Sequence, residues 1–330
     1  MRVAWFDTDG WEREYLADKD LDMKIDFFEE PLTAENADQL DGYDAVAVFV
    51  TSEVDEEVIE QFDGHTIACR STGFDHVDID AAAEKGIAVC NVPDYGGTTV
   101  AEHAFGLILA LSRKIYSAIQ KVEEGEFNHE GLRGFDLKGK KLGVIGTGTI
   151  GRNVIRIANG FDMHVVAYDP QPNHRVEHEM GFMYVSLEDL LEQSDIVTLH
   201  CPLNDATKHL LSDEEFDRMD GTVLINTARG ELIDTEALIK ALESGKVEAA
   251  GLDVLEEECY IEDDIKYLGQ LEEKCNPQII LEDHILMNRD DVLITPHNAF
   301  NSQEALHRIE DTTVENLRTT KNVVNRPGQN

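Results

Sequence analysis

Short runs of β-branched, aromatic and aliphatic residues alternate with polar stretches along the first hundred positions. Residues 2–7, 24–28, 45–50, 66–70 and 87–91 have the length and composition of strands, and residues 53–62 and 79–85 read as helices between them. That rhythm predicts a parallel sheet with helices on both faces. A longer segment follows. Residues 99–124 contain no proline, and Ala101, Phe105, Ile108, Leu109, Ser112, Ile115 and Ile119 recur at helical spacing. One helix of about 25 residues, about 38 Å long, is predicted there, with Gly125 as its stop.

A second alternation starts at Lys141. Residues 142–145 form a strand, residues 146–151 a glycine-rich turn, and Ile150, Val154, Ile157, Ala158 and Phe161 the apolar stripe of a helix. Further strands are expected at 164–168, 196–200, 223–226, 249–254 and 292–295. A helix is expected at 234–244, with Asp234 as N-cap and Gly245 as stop. Residues 302–324 read as a closing helix. Two α/β units, without a short repeat or a low-complexity linker, account for nearly the whole chain.

The length of 330 residues suits two domains, and 42% hydrophobic residues can fill their cores. The charge is unusual: 28 Lys and Arg stand against 67 Asp and Glu, a formal −39 spread along the chain. A general nucleic-acid binder needs clustered cations, so that class is excluded, and an anionic membrane surface is disfavoured. No segment approaches the roughly 20 apolar residues of a membrane span; the longest run, 104–111, is interrupted by Gly106. Asp7 arrives before a signal-peptide core can form, so a cytoplasmic location is expected. Five cysteines without a C-x-x-C pair argue against a disulfide framework and a zinc site, and no metal is expected. So large a charge makes the folded state repel itself unless salt screens it, which points to a salt-adapted, halophilic protein.

Gly146-Thr147-Gly148-Thr149-Ile150-Gly151 fits G-x-G-x-x-G, after a predicted strand and at the start of a predicted amphipathic helix. In that setting Gly146 makes the tight turn, Gly148 lets the backbone approach a pyrophosphate, and Gly151 lets helix and strand pack closely. The N–H groups of Thr149 and Ile150 begin the helix, whose positive end receives the phosphate charge. Asp169 closes the next strand, 18 residues after Gly151. An acid there accepts the ribose hydroxyls and repels a 2′-phosphate, so the expected cofactor is NAD, with His174 and Arg175 nearby keeping some tolerance of NADP open. Residues 134–141 nearly match a phosphate loop, but they lack its closing Ser/Thr and precede the strand. The Tyr15…Lys19 pair lies on the wrong side of the loop for a short-chain dehydrogenase.

Over roughly residues 71–306 the chain resembles the D-isomer-specific 2-hydroxyacid dehydrogenases. The resemblance is carried by Arg70-Ser71-Thr72-Gly73-Phe74-Asp75, Val100-Ala101-Glu102-His103, the glycine loop, Asn226-Thr227-Ala228-Arg229-Gly230, Gly251-Leu252-Asp253-Val254 through Glu258, and Thr295-Pro296-His297. It implies a catalytic triad of Arg229, Glu258 and His297. Reduction of a 2-keto acid needs a hydride at the carbonyl carbon and a proton at the carbonyl oxygen. A histidine exchanges protons near neutral pH, a glutamate beside it raises its pKa, and an arginine fork suits the substrate carboxylate. The resemblance points to Glu258 rather than its neighbours Glu256 and Glu257, because it lies five residues after Asp253 as in the family pattern. The resemblance also implies that Ser71, Thr72 and Gly73 hold the carboxylate, that Thr227, Ala228 and Asp253 lie near the nicotinamide, and that Cys201, Pro202 and Thr207 touch the cofactor. Asn204 stands where Thr is commoner.

Tyr95, after Val92-Pro93-Asp94, Phe300, after His297-Asn298-Ala299, and the long stretch between Glu258 and His297 are similar to the D-lactate branch; Gly96-Gly97-Thr98 departs from it. The expected substrate is therefore pyruvate or a small relative. Glyoxylate or hydroxypyruvate reduction, and an NAD-sensing corepressor on the same fold, are the alternatives. The resemblance further implies a two-domain α/β architecture of Rossmann-like and flavodoxin-like parallel sheets. Residues 1–98 and 299–330 would form a discontinuous substrate domain and residues 99–298 the NAD-binding domain. The long helix would carry a homodimer contact, and closure of the two domains would exclude water.

Overall fold

The computed structural model describes residues 1–17, 19, 21–256 and 276–325. Two compact units divide the chain, the first built from Met1–Tyr95 with Ser302–Asn330 and the second from Gly96–Asn301.

In the first unit β1 (Arg2–Trp5), α1 (Gly10–Ala17), β2 (Lys24–Phe27), β3 (Ala45–Val48), α2 (Glu56–Gln61), β4 (Thr66–Cys69), α3 (Ile79–Lys85) and β5 (Ala88–Cys90) follow in order. The strands form a five-stranded sheet, β2-β1-β3-β4-β5, with every pairing parallel. Every residue of β3, β4 and β5 is buried, as expected of strands covered on both faces. Asp78 caps α3 by accepting from the Asp80 and Ala81 N–H groups, and Gly86 ends it in the left-handed conformation at φ +79°.

The second unit begins with α4 (Gly97–Ser112) and α5 (Ile115–Glu123), and then alternates strand and helix: β6 (Lys141–Ile145), α6 (Thr149–Gly160), β7 (His164–Tyr168), α7 (His174–Met180), β8 (Met183–Tyr184), α8 (Leu187–Gln193), β9 (Ile196–Leu199), α9 (Asp213–Asp217), β10 (Thr222–Asn226), α10 (Thr235–Ser244), β11 (Val247–Leu252), α11 (Pro277–Met287) and β12 (Val292–Ile294). Seven parallel strands lie in the order β12-β11-β10-β9-β6-β7-β8. The order reverses between β6 and β9, and ligands of open α/β sheets bind outside the strand ends at such a switch point. Ala101, Ala104, Phe105 and Ile108 of α4 pack with Val154, Ile155 and Ala158 of α6 on one face. Leu190 and Leu191 of α8 and Leu238, Ala241 and Leu242 of α10 cover the other.

Finally, α12 (Gln303–Thr319) returns to the first unit, where Val314 and Leu317 pack on Val3, Trp5, Ala45, Ala47 and Ala68. Burying each such side chain contributes roughly 1.5–3 kcal/mol.

Two helix expectations are corrected. The single helix over 99–124 is broken between Ser112 and Ile115, where Lys114 takes the left-handed conformation at φ +50°. The returning chain causes the break: the Phe135 N–H donates to the Ser112 carbonyl at 2.9 Å, and a Cβ on Gly134 would stand 2.0 Å from that oxygen. Gly134, part of the discounted phosphate-loop match, is thus a packing glycine. The closing helix stops at Thr319 rather than running to Val324. Thr320 turns left-handed at φ +50°, and Val323 bridges to Cys90 as an antiparallel partner.

Candidate active site

Most of the predicted site residues of the second unit lie along one edge of its sheet, at the C-terminal ends of β6, β7, β9, β10, β11 and β12. The glycine loop follows β6, and its three glycines differ in what surrounds them. Gly146 has φ +94°, and a Cβ there would stand 2.6 Å from the His200 carbonyl oxygen and 2.8 Å from the Cys201 nitrogen. A Cβ on Gly151 would stand 2.0 Å from the Gly146 oxygen. Around Gly148, its chain neighbours aside, no atom of the described residues lies within 4 Å of that position, so its backbone is open to a ligand. No side chain caps α6, whose N-cap is Gly148, and its first-turn N–H groups remain for an anion.

Asp169 faces this loop. Its carboxylate accepts from the Thr147 N–H (2.9 Å), the Thr147 hydroxyl (2.8 Å) and the Gln171 N–H (2.9 Å). Partial burial draws the Asp169 pKa upward, but the Thr147 and Gln171 donors outweigh it and hold the group below the usual range, ionised at neutral pH. Three buried polar atoms on this edge have no protein partner among the described residues: the Thr227 hydroxyl, His200 Nδ1 and Asn298 Oδ1. His200 is tied through Nε2 to the Thr198 hydroxyl at 2.8 Å, and burial pushes its pKa down to about 3. Beyond it, the Asn204 N–H donates to Thr207 Oγ1, which donates to the Pro202 carbonyl, closing the loop predicted to touch cofactor. The open cradle at Gly148, the uncapped helix and the ionised acid suit a dinucleotide with free ribose hydroxyls.

Arg229 leaves β10 on a turn built by Asn226, the first residue of its motif, for which no role was expected. Asn226 is fully buried; its Nδ2 donates to the Arg229 carbonyl (2.8 Å) and its Oδ1 accepts from the Ala228 N–H (3.0 Å). Arg229 Nη1 rests on the Ala228 carbonyl at 2.7 Å, and among the described residues no ion pair uses it. Gly230 comes next, so close to the β11 exit that a Cβ would stand 1.9 Å from the Leu255 oxygen.

His297 sits on a turn organised by Asp253. The His297 N–H donates to the Asp253 carbonyl (2.8 Å) and the Thr295 carbonyl (2.9 Å), and its backbone is left-handed at φ +47°. The buried Asp253 carboxylate accepts from the Asn298 N–H (3.0 Å), the Ala299 N–H (2.8 Å) and the Thr295 hydroxyl. His103 of α4 reaches both Thr295 (3.0 Å) and Asp253 (3.3 Å). The turns of Arg229 and His297 are joined directly, because the Asp253 N–H donates to the Asn226 carbonyl at 2.8 Å.

Glu258 lies outside the described residues. Of the alternatives, Glu256 is already engaged: Oε1 meets His209 Nε2 at 2.6 Å, and Oε2 accepts from the Thr235 hydroxyl at 2.8 Å. A repeated pattern of a polar side chain bonding a turn two or three residues on could have found Asn226; His103 closes the Val100-Ala101-Glu102-His103 stretch, but nothing local signals its partners, nor those of His209 and Thr235.

In the first unit, Ser71, Thr72 and Gly73 form the turn after β4. The Ser71 hydroxyl donates to the Gly73 carbonyl (2.5 Å), the Thr72 hydroxyl to the Val92 carbonyl (2.8 Å), and Asn91 Nδ2 to the Thr72 carbonyl (2.7 Å). With the hydroxyls used internally, the backbone N–H groups are what the turn offers an anion. Arg70 beside it is structural. It is buried, donates to the Phe6 and Asp7 carbonyls and pairs with Glu12 at 2.7 Å. Burial pushes the neighbouring Glu310 carboxyl up to about 8. Tyr95 is held by Arg308, whose Nε donates to its carbonyl at 2.8 Å. Phe300, half-buried, follows the His297 turn in the second unit.

The glycine cradle and the switch point make the second unit a dinucleotide-binding domain of the oxidoreductase kind. Residues 105–299 match the family model described as D-isomer specific 2-hydroxyacid dehydrogenase, NAD binding domain. The D-lactate dehydrogenase of Escherichia coli (strain K12) is 38% identical over 326 residues, covering 96% of either chain. Among solved structures, the pyruvate reductase of Chlamydomonas reinhardtii superposes with a TM-score of 0.86 at 38% identity, covering 99% of this chain and 98% of its own. The D-lactate dehydrogenase from Aquifex aeolicus, complexed with NAD and lactic acid, gives 0.83 at 31% identity, covering 99% and 100%. The chain belongs to the D-isomer specific 2-hydroxyacid dehydrogenase family and is an NAD-dependent oxidoreductase close to the D-lactate dehydrogenases.

Proposed function

We propose that this dehydrogenase reduces pyruvate or a close relative to the D-2-hydroxy acid, with Arg229 and His297 as its catalytic residues and Glu258 as the partner of His297. One observation carries the reading: the Arg229 and His297 turns follow β10 and β12, the two strands that flank β11, each is fixed by a buried side chain, and Asp253 at the end of β11 joins them through Asn226. When bound, the nicotinamide supplies hydride chemistry. Arg229 binds the substrate carboxylate and polarises the carbonyl, and His297 gives a proton to the carbonyl oxygen. By the family resemblance Ser71, Thr72, Gly73, Tyr95 and Phe300 are further substrate-binding residues. Thr149 and Ile150 at the start of α6, with Asp169, Cys201, Pro202, Thr207, Thr227, Ala228 and Asp253, hold the cofactor. In this reading residues 1–98 and 299–330 are the substrate domain and 99–298 the NAD domain.

The choice of pyruvate rests on the relatives called D-lactate dehydrogenase and pyruvate reductase and on Tyr95. A panel of 2-keto acids with NADH, followed by chiral analysis of the product, tests it. D-lactate from pyruvate is expected; faster turnover of hydroxypyruvate or glyoxylate, or an L product, overturns it.

Two further properties belong to this reading. The enzyme works in concentrated salt, because −39 charges need screening. It is a cytoplasmic homodimer whose contact includes α5. No residue of that helix is buried, and Ile115, Ile119 and Val122 form an exposed apolar row on a strongly acidic chain. Sedimentation of the parent and of an Ile119→Glu variant tests the contact: a dimer that the variant dissociates is expected, and a monomeric parent refutes it. Among the described residues no helix is long and apolar enough to cross a membrane.

A further inference from the structure

Arg229 can bind a carboxylate productively only if its turn is held to within a fraction of an ångström. Asn226 holds that turn from the β10 side. From the other side it rests on the exit of β11, because Gly230 lies against the Leu255 carbonyl and the Glu256 nitrogen, the latter 2.5 Å from where a Cβ on Gly230 would stand. That support is only as firm as the Leu255–Glu256 backbone. Three residues outside the reacting groups secure it. The nearly buried Glu256 carboxylate is held at both oxygens, by His209 Nε2 at 2.6 Å and by the Thr235 hydroxyl at 2.8 Å. Thr235 opens α10, a well-capped helix with Asp234 accepting from the Ala237 N–H. His209 grips the Arg229 turn a second time through its backbone, where its N–H donates to the Glu231 carbonyl at 2.7 Å. The chain after it runs beside the same turn, with Leu211 bridged to Ile233. His209 holds this geometry in the left-handed conformation, φ +50°. Among the described residues the other charged group facing its ring is Asp234, 3.7 Å from Nδ1.

We propose that His209, Glu256 and Thr235 form a clasp that positions Arg229 for the 2-keto acid, acting as positioning residues that touch neither substrate nor cofactor. The clasp rests on the reading of Arg229 as the carboxylate ligand. It separates two jobs that neighbouring glutamates would otherwise appear to share: Glu256 fixes the arginine turn, and the histidine partner is drawn from the residues after it.

The experiment uses the full-length enzyme and measures kcat and KM for pyruvate, the Kd of NADH by fluorescence titration, and Tm. His209→Phe keeps the ring but removes the hydrogen bond to Glu256; His209→Gln restores a donor at the same reach. Below the melting temperature, His209→Phe is expected to lower kcat/KM for pyruvate by about ten- to hundredfold while the Kd of NADH stays within about twofold. Thr235→Val is expected to lose several-fold in the same pattern, and His209→Gln to recover most of the activity. A folded His209→Phe enzyme with unchanged kcat/KM overturns the clasp, as does His209→Gln no better than Phe. Should His209→Phe fail to fold, Thr235→Val decides, and unchanged kcat/KM in that variant overturns the proposal. Arg229→Lys is measured in parallel. If it leaves activity intact, the reading of Arg229 falls and the clasp with it; if it abolishes activity while the clasp variants do not, the clasp alone is wrong.

Discussion

Asn226→Ala tests how much of the active site depends on one buried amide. The side chain is fully buried and makes two hydrogen bonds, to the Arg229 carbonyl and from the Ala228 N–H. Alanine takes the acceptor from the Ala228 N–H and leaves the Arg229 carbonyl only the 3.4 Å bond from the Leu232 N–H, and an unsatisfied buried group costs about 1–3 kcal/mol. A loss of about 2–4 kcal/mol is expected, equivalent to a fall in Tm of roughly 5–15 °C for a domain of this size. The turn then relaxes, and a shift of Arg229 on the order of 1 Å costs about a hundredfold in kcat/KM, or about 2.7 kcal/mol of transition-state stabilisation. Steady-state kinetics with pyruvate and NADH, thermal melting and an NADH titration read these effects separately. Asn226→Asp is the control. It keeps the bond from Ala228 but sets a carboxylate oxygen against the Arg229 carbonyl, so it is expected to be impaired as well. An Asn226→Ala enzyme with kcat/KM within a few-fold of the parent and a weakened Kd for NADH would refute the reasoning, because the damage would then lie in the cofactor cradle.

The glycines of the loop separate folding from binding: Gly148→Ala should melt like the parent yet raise the Kd of NADH at least about tenfold, since its Cβ meets no protein atom and stands where the phosphates approach. Gly146→Ala and Gly151→Ala should instead lower Tm sharply; equal melting for all three would contradict the geometry. His200 has a folded pKa of about 3 against 6.5 unfolded, so the unfolded chain binds more protons between those values and stability falls as pH drops below 6.5. His200→Gln removes that part of the slope, worth about 2 kcal/mol near pH 5 relative to neutral pH; parallel pH profiles for parent and variant would show that the ring is not held neutral. For salt, raising KCl from about 0.1 M to about 1 M shortens the screening length from about 10 Å to about 3 Å. Tm should rise on the order of ten degrees, and a flat Tm would remove the salt-adapted reading.

Much of the fold was legible because its signals are local. Asp78, Asp234 and Ser302 cap helices where the sequence placed starts, and Gly86 and Gly245 end them. The apolar strand runs of both units fall where expected within a residue or two. The failures are tertiary. Nothing around Ser112 to Ile115 discourages a helix; the break comes from Gly134 and Phe135, some twenty residues on, taking the Ser112 carbonyl. β8 is two residues long and exists as the partner of β7. For the site, the glycine loop and Asp169 could be read because phosphate and ribose binding impose a spacing within one β-α-β unit. Asn226, His103, His209 and Thr235 act by holding other residues' turns, and His103 and His209 do so across 192 and 47 positions of sequence. No local pattern records those two long-range contacts.

The central claim is that His297 protonates the substrate oxygen on an NADH-loaded enzyme. The most direct measurement is paired on His297→Ala: the Kd of NADH by fluorescence, and single-turnover NADH oxidation with pyruvate in high salt. An NADH affinity within about twofold of the parent, with turnover reduced by at least about a hundredfold, is the expected result. Turnover equal to the parent would contradict the account, and lost NADH binding would place His297 in the cofactor site instead.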